Sequence, residues 1–161
     1  MTDEWTARVL AVWADADRLG DAGVISAIDA LAAERPDGDA LALFERAGAR
    51  DSAGLEQEAE PLYRAALAAG LPDGEQAQAV IQLASTVRNL GRPAESLELL
   101  RAEFADRPDH PYADAATAFA ALALASLGQT SEALSATLHA LAKHLPRYRR
   151  SVDAYADDLL S

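Results

Sequence analysis

The chain has 161 residues, half of them apolar and a quarter charged, a balance that suits one packed globular domain and excludes a disordered chain. Its formal charge of −12 repels phosphate backbones and anionic lipid, so neither nucleic acid nor membrane is expected as a partner. Cysteine is absent, which excludes disulfides, thiol nucleophiles and Cys-ligated zinc.

Alanine accounts for 39 positions, which argues for closely packed helices, and 13 arginines stand against a single lysine. The first 76 residues supply −10 of the net charge, the pattern of a solvated acidic face. At the start, MTDEWTARVLAVW carries Asp3 and Glu4 where a secretory signal carries positive charge. No stretch reaches the roughly 18 uninterrupted apolar residues of a membrane span. A cytoplasmic location is expected.

In chain order, helical periodicity predicts nine helices, near 3–18, 21–34, 38–52, 55–69, 74–90, 93–105, 111–127, 130–143 and 147–160. Thr2 would cap the first, with Asp3 and Glu4 in its opening turn. Pro93 suits a first helical turn, and Pro36, Pro72, Pro108 and Pro146 each close a pair of helices. No segment alternates like a strand. Gly20, Gly54, Gly91 and Gly128 are 34, 37 and 37 residues apart, each between two helical stretches. Such a period means a solenoid of helix hairpins. Glycine belongs there because the first helix of each pair ends on a left-handed residue. Five positions beyond the last three glycines stand Ala59, Ser96 and Ala133, small enough for the second helix to approach the first. The residues that lengthen the period are expected in the turns at 70–75 and 106–112.

This pattern resembles the tetratricopeptide repeat, and LASTVRNLGR resembles a bacterial branch described only as a repeat group. The third repeat matches at Val80, Leu83, Ala84, Val87, Gly91, Ser96, Leu100 and Pro108. The second matches at Leu43, Ala47, Gly54, Ala59, Tyr63, Ala66 and Pro72, but Arg46 replaces a large apolar residue. The fourth matches at Ala121, Leu124, Gly128, Ala133, Ala140 and Pro146, with Thr137 small where bulk is usual. The first, residues 6–39, retains only Gly20, Ala32 and Pro36. The resemblance implies an all-α fold, a right-handed solenoid of antiparallel helix hairpins with a C-terminal capping helix. A single domain over 1–161 is expected, with hairpins at about 1–37, 38–73, 74–109 and 110–146 and the cap at 147–161. The cap would bury the stripe Tyr148, Val152, Tyr155, Ala156, Leu159 and Leu160.

Catalytic chemistry finds no support. His139 and His144 are five apart where a helical metal face needs three or four, and His110 lies in a Pro-Asp-His-Pro turn. Glu56, Glu58 and Glu60 scatter around their helix, Asp157 and Asp158 read as a solvated edge, and Ser85 and Ser126 have no evident base. Phosphate-loop, nucleophile-elbow and zincin motifs are all absent. No cofactor or metal is expected.

One face of the third hairpin's first helix does stand out. At about 100° per residue, Val80, Leu83, Ala84 and Val87 face the paired helix, while Gln78, Ile81, Ser85, Arg88 and Asn89 line the concave side. The same register exposes Leu10, Asp17 and Arg18 in the first hairpin, and Leu41, Phe44, Gly48, Asp51 and Ser52 in the second. In the fourth it exposes Ala118, Leu122, Ala125 and Ser126. The expected partner-binding groove is Phe44, Asp51, Gln78, Ile81, Ser85, Arg88, Asn89 and Leu122. Phe44 and Ile81 would anchor a protein or peptide partner, with Arg88 and Asn89 as polar contacts. An Arg88–Asp51 pair is the alternative use of those charges. Some tetratricopeptide domains grip a terminal carboxylate with lysines and asparagines, but this groove has no lysine and only Asn89 compares. A non-catalytic interaction scaffold is therefore expected. The alternatives are a self-associating module, with a homodimer through the apolar residues 115–126, and a ligand-sensing regulatory module.

Overall fold

In a computed structural model the chain is described from residue 4 to residue 161, and every regular element among those residues is a helix. The expected cap at Thr2, with Asp3 beside it, lies outside the described residues. The chain divides into two compact units, one ending at Thr86 and the other beginning at Val87.

The first unit holds α1 (Glu4–Ala14), α2 (Ala16–Ala32), α3 (Ala40–Ser52), α4 (Glu56–Ala69) and most of α5 (Asp73–Asn89). Helical geometry is interrupted at Gly20, with φ 66° and ψ 169°, a backbone region open to glycine and costly for any residue with a Cβ. Val9, Val24, Ile28, Leu31 and Ala49 form the core here, with Trp5 and Trp13 packed against it. Trp5 Nε1 donates to the Leu31 carbonyl at 2.8 Å, a second bond to an acceptor near the end of α2 that also takes the Glu34 N–H at 3.1 Å. The Arg35 guanidinium covers the Trp5 ring at 4.9 Å. Asp39 opens α3 by accepting from the Ala42 N–H at 3.0 Å. Between α2 and α3, Asp29 accepts from Arg46 at 2.9 Å and from Arg50 at 2.8 Å. The helix α4 then packs on α3 through Ala59, Tyr63 and Ala66, all fully buried.

The second unit holds the end of α5, then α6 (Pro93–Phe104), α7 (Ala113–Ser126), α8 (Thr130–Ala142) and α9 (Arg149–Asp158). Its core is Leu97, Ala121, Ala123, Leu124 and Ala133. Ser96 and Ala133, the small residues expected at helix crossings, are both buried.

One closure recurs three times. At the end of α3, Gly54 N–H donates to the Asp51 carbonyl and Leu55 N–H to the Arg50 carbonyl, at 3.0 and 2.9 Å. Gly91 and Arg92 repeat this onto Arg88 and Val87, and Gly128 and Gln129 onto Ala125 and Leu124. These are paired backbone bonds of the Schellman kind, and the three glycines have φ of 72°, 84° and 80°.

The two 37-residue intervals are built differently. Between α6 and α7 the extra residues do lie in the connection, residues 105–112, where His110 packs against Phe104 and Tyr112. Between α4 and α5 the connection is only residues 70–72, and the added length lies within α5, which is 17 residues long. Asp73 and Glu75 favour that first turn by complementing the helix dipole, so the turn expected at 70–75 is half helix.

The C-terminal stripe is only partly buried. Ala156 is fully enclosed and Val152 and Leu159 are half-buried, but Tyr148 and Tyr155 are 71% and 69% exposed. Polar contacts also attach α9 to α8: His139 stands between Asp153 and Asp157, with Nδ1 and Nε2 each 3.1 Å from a carboxylate oxygen. Asp157 is exposed, as an edge residue is, and it also contacts His139.

Candidate binding groove

In the first unit, α1, α3, α4 and α5 enclose a cavity of about 410 Å³. Leu10 and Trp13 come from α1, and Phe44, Glu45, Gly48, Asp51 and Ser52 from α3. Tyr63 comes from α4, and Gln78 and Gln82 from α5. On α1, α3 and α5 these residues fall along one face, mostly three or four apart, and α4 contributes Tyr63 alone. Gly48 leaves the middle open. A Cβ there would lie 3.5 Å from the Trp13 ring.

The polar groups of this cavity are unevenly matched. Trp13 Nε1 donates to Glu45 Oε2 at 2.7 Å. Burial pushes the Glu45 carboxyl up, the Trp13 bond opposes that shift, and the charge of Glu75 adds to it. Asp51 accepts from Thr86 Oγ1 at 2.9 Å and from the Tyr63 hydroxyl at 3.3 Å. Burial pushes the Asp51 carboxyl up as well, against both hydrogen bonds, with Glu56 adding to the effect. Tyr63 is fully buried, and burial followed by the Asp51 charge raises its phenol far above the ordinary value. Gln78 Nε2 donates to the Gly74 carbonyl at 3.2 Å and Ser52 Oγ to the Ala49 carbonyl at 3.1 Å. Gln82 Oε1 is buried without a hydrogen-bond partner.

Of the groove residues expected from sequence, Phe44, Asp51 and Gln78 line this cavity, together with Leu10, Gly48 and Ser52 of the same register. Ile81 is buried, at 6% exposure, and does not line it. Ser85 is half-buried. In the second unit Arg88 is half-buried and donates from Nη2 to Asn89 Oδ1 at 3.0 Å, and its Nε is buried without a partner. Leu122, also in the second unit, lines a separate apolar depression with Ala118 and Leu134. Sequence reasoning missed Trp13, Glu45 and Gln82 and read Tyr63 as packing alone. The signal was present: Trp13 is three beyond Leu10, Glu45 three before Gly48, and Gln82 four beyond Gln78. A helical face is a band wider than one line of residues.

The three histidines serve local structure. His110 Nδ1 accepts from the Tyr112 N–H at 3.1 Å, and His144 Nε2 lies 2.8 Å from Asp114. Among the described residues no group of three or more His, Asp or Glu side chains is arranged to hold a metal ion. Among them, too, no helix is long and apolar enough to cross a membrane.

A family model described as Tetratrico peptide repeat matches residues 40–159, well over half of the chain. The chain belongs to the tetratricopeptide repeat family. Its helix hairpins are those of a helical solenoid, and tetratricopeptide repeats generally mediate contacts between proteins. The match begins at the first residue of α3 and leaves out the first hairpin, whose repeat residues are the most degenerate. Comparison with curated proteins and with solved structures gave no match.

Proposed function

We propose that this tetratricopeptide repeat chain is a non-catalytic scaffold whose first unit holds a peptide segment of a partner protein against the first helices of its hairpins. The cavity carries the reading. Its aromatic walls and polar atoms sit on packed helices, so little ordering entropy opposes binding. Capture of partners from the host's lysate tests it, with wild type beside Gly48→Leu, which fills the cavity from an ordinary helical position. The variant should keep its helicity and lose the partner. Capture that survives in full places the binding surface elsewhere, on the opposite helices or on α9.

One observation favours a second reading, self-association. Ala118, Leu122, Leu134 and neighbouring residues of α7 and α8 line an open, almost wholly apolar depression, with Leu122 and Leu134 each 47% exposed. Light scattering would then show a dimer that Leu122→Glu converts to monomer. A monomeric wild type at high concentration removes this reading.

A further inference from the structure

We propose that the first-unit cavity receives a cationic side chain, an arginine of the partner peptide, between the carboxylates of Glu45 and Asp51 and the rings of Trp13 and Phe44. The assignment rests on the scaffold reading above and specifies what that groove selects.

The hydrogen-bonding groups of the lining are weighted toward acceptors. Most donors in the lining are already committed: Trp13 Nε1 to Glu45, Tyr63 to Asp51, one N–H of Gln78 Nε2 to Gly74 and Ser52 to Ala49, which leaves only amide N–H groups of Gln78 and Gln82. The larger unused capacity is in acceptors. Glu45 and Asp51 are carboxyl groups with lone pairs beyond those bonds, and the Gln82 carbonyl oxygen has no partner. A ligand rich in donors suits this balance, and a guanidinium brings five donors and no acceptor.

The charges around the cavity are of one sign. No arginine, lysine or histidine lines the cavity, and the charged groups acting on its two carboxyls from neighbouring positions, Glu75 and Glu56, are acids too. Burial already strains both carboxyls toward their neutral forms, and a cation placed beside them relieves that strain. The surrounding first 76 residues carry −10, which steers a cation inward from a distance.

Trp13 and Phe44 both line the same space, and a planar guanidinium packs on aromatic rings where a carboxylate would be repelled. Gly48 supplies the room. Trp13 lies outside the stretch that the family model matches, so this wall is a feature of the chain's own first hairpin.

The test uses the full chain and four capped peptides, Ala-Ala-Xaa-Ala-Ala, with arginine, lysine, citrulline or glutamate at the centre. The chain's two tryptophans give indole N–H signals that Trp→Phe variants assign. The arginine peptide should move the Trp13 signal saturably and leave Trp5 unmoved. Citrulline keeps the shape of arginine without its charge, and should bind at least about tenfold more weakly. Glu45→Gln keeps an acceptor for Trp13, and Asp51→Asn one for Thr86. Each should weaken the arginine peptide about tenfold and leave the citrulline peptide unchanged. Equal binding of citrulline and arginine, or tighter binding of glutamate, overturns the cationic assignment while leaving a peptide groove in place. A Trp13 signal unmoved by the arginine peptide also overturns it. If Gly48→Leu then leaves lysate capture intact, the cavity falls as the partner-binding site as well.

Discussion

Asp29 on α2 accepts hydrogen bonds from Arg50 on α3, at 2.8 Å to one carboxylate oxygen and 3.1 Å to the other. Arg46 joins them at 2.9 Å, so two guanidinium groups converge on one carboxylate across a helix pair. The Arg50 hydrogen bonds hold the Asp29 carboxyl below the ordinary aspartate value of 3.8, against its partial burial. Asp29→Ala should cost about 1–2 kcal/mol, reduced by the partial exposure of the site. Because the folded value is lowered, this stabilisation is present above 3.8 and is lost as pH falls through the lower folded value. Urea unfolding of both proteins at pH 7 and in strong acid should show the difference shrink at the acid end.

Two glycines should respond to alanine with opposite signs. Gly48 lies within α3, and its Cβ would make ordinary contact, 3.5 Å from Trp13. Gly48→Ala should stabilise the chain by roughly 0.5–1 kcal/mol through helix propensity and a less flexible unfolded state. Gly54 has φ of 72° with nothing near its Cβ position, so the backbone alone decides. Gly54→Ala should destabilise by about 1 kcal/mol. Thermal melting of the two variants checks both.

Glu45→Gln should be more stable than wild type at neutral pH. Burial raises the folded Glu45 value above the ordinary 4.5, so its ionised form is carried at a cost, whereas glutamine accepts from Trp13 with no charge. By the sign of the shift, wild type has its relative advantage below 4.5 and loses it as pH rises through the raised folded value. Melting curves across that range should separate with rising pH. The same variant is the one expected to lose arginine, a trade of stability against binding.

Within α9, Ala156 and Tyr155 should behave unlike each other. Ala156 is fully buried, so Ala156→Asp should cost roughly 2–4 kcal/mol or release the helix. Tyr155 is 69% exposed, and Tyr155→Ala should stay within about 0.5 kcal/mol. Limited proteolysis between α8 and α9 distinguishes release of the helix from general loss of stability.

What could be read from the sequence follows from how local each requirement is. The hairpin closures were legible because a left-handed residue demands glycine wherever it occurs, so Gly54, Gly91 and Gly128 mark themselves. Arg46 was not legible for the opposite reason. Its presence at an apolar repeat position makes sense only once Asp29, 17 residues earlier, is placed beside it. The groove was half legible: Phe44, Asp51 and Gln78 follow from helical register, but the Trp13–Glu45 bond joins residues 32 apart. The α9 stripe shows the limit of periodicity, since spacing groups Tyr148 and Tyr155 with Ala156 but does not say how far the neighbouring helix reaches.

The three hairpin closures use main-chain atoms only, so each terminator is independent of the side chains around it. Residues 55–91 run from the residue after the glycine of one closure to the glycine of the next, with equivalent bonds at both ends. A tandem duplication of that segment would carry its own stop signal into the new copy. Lineages can therefore lengthen or shorten such an array by copying whole periods, with no new loop to be invented, and divergence is then free to concentrate on the faces between the glycines.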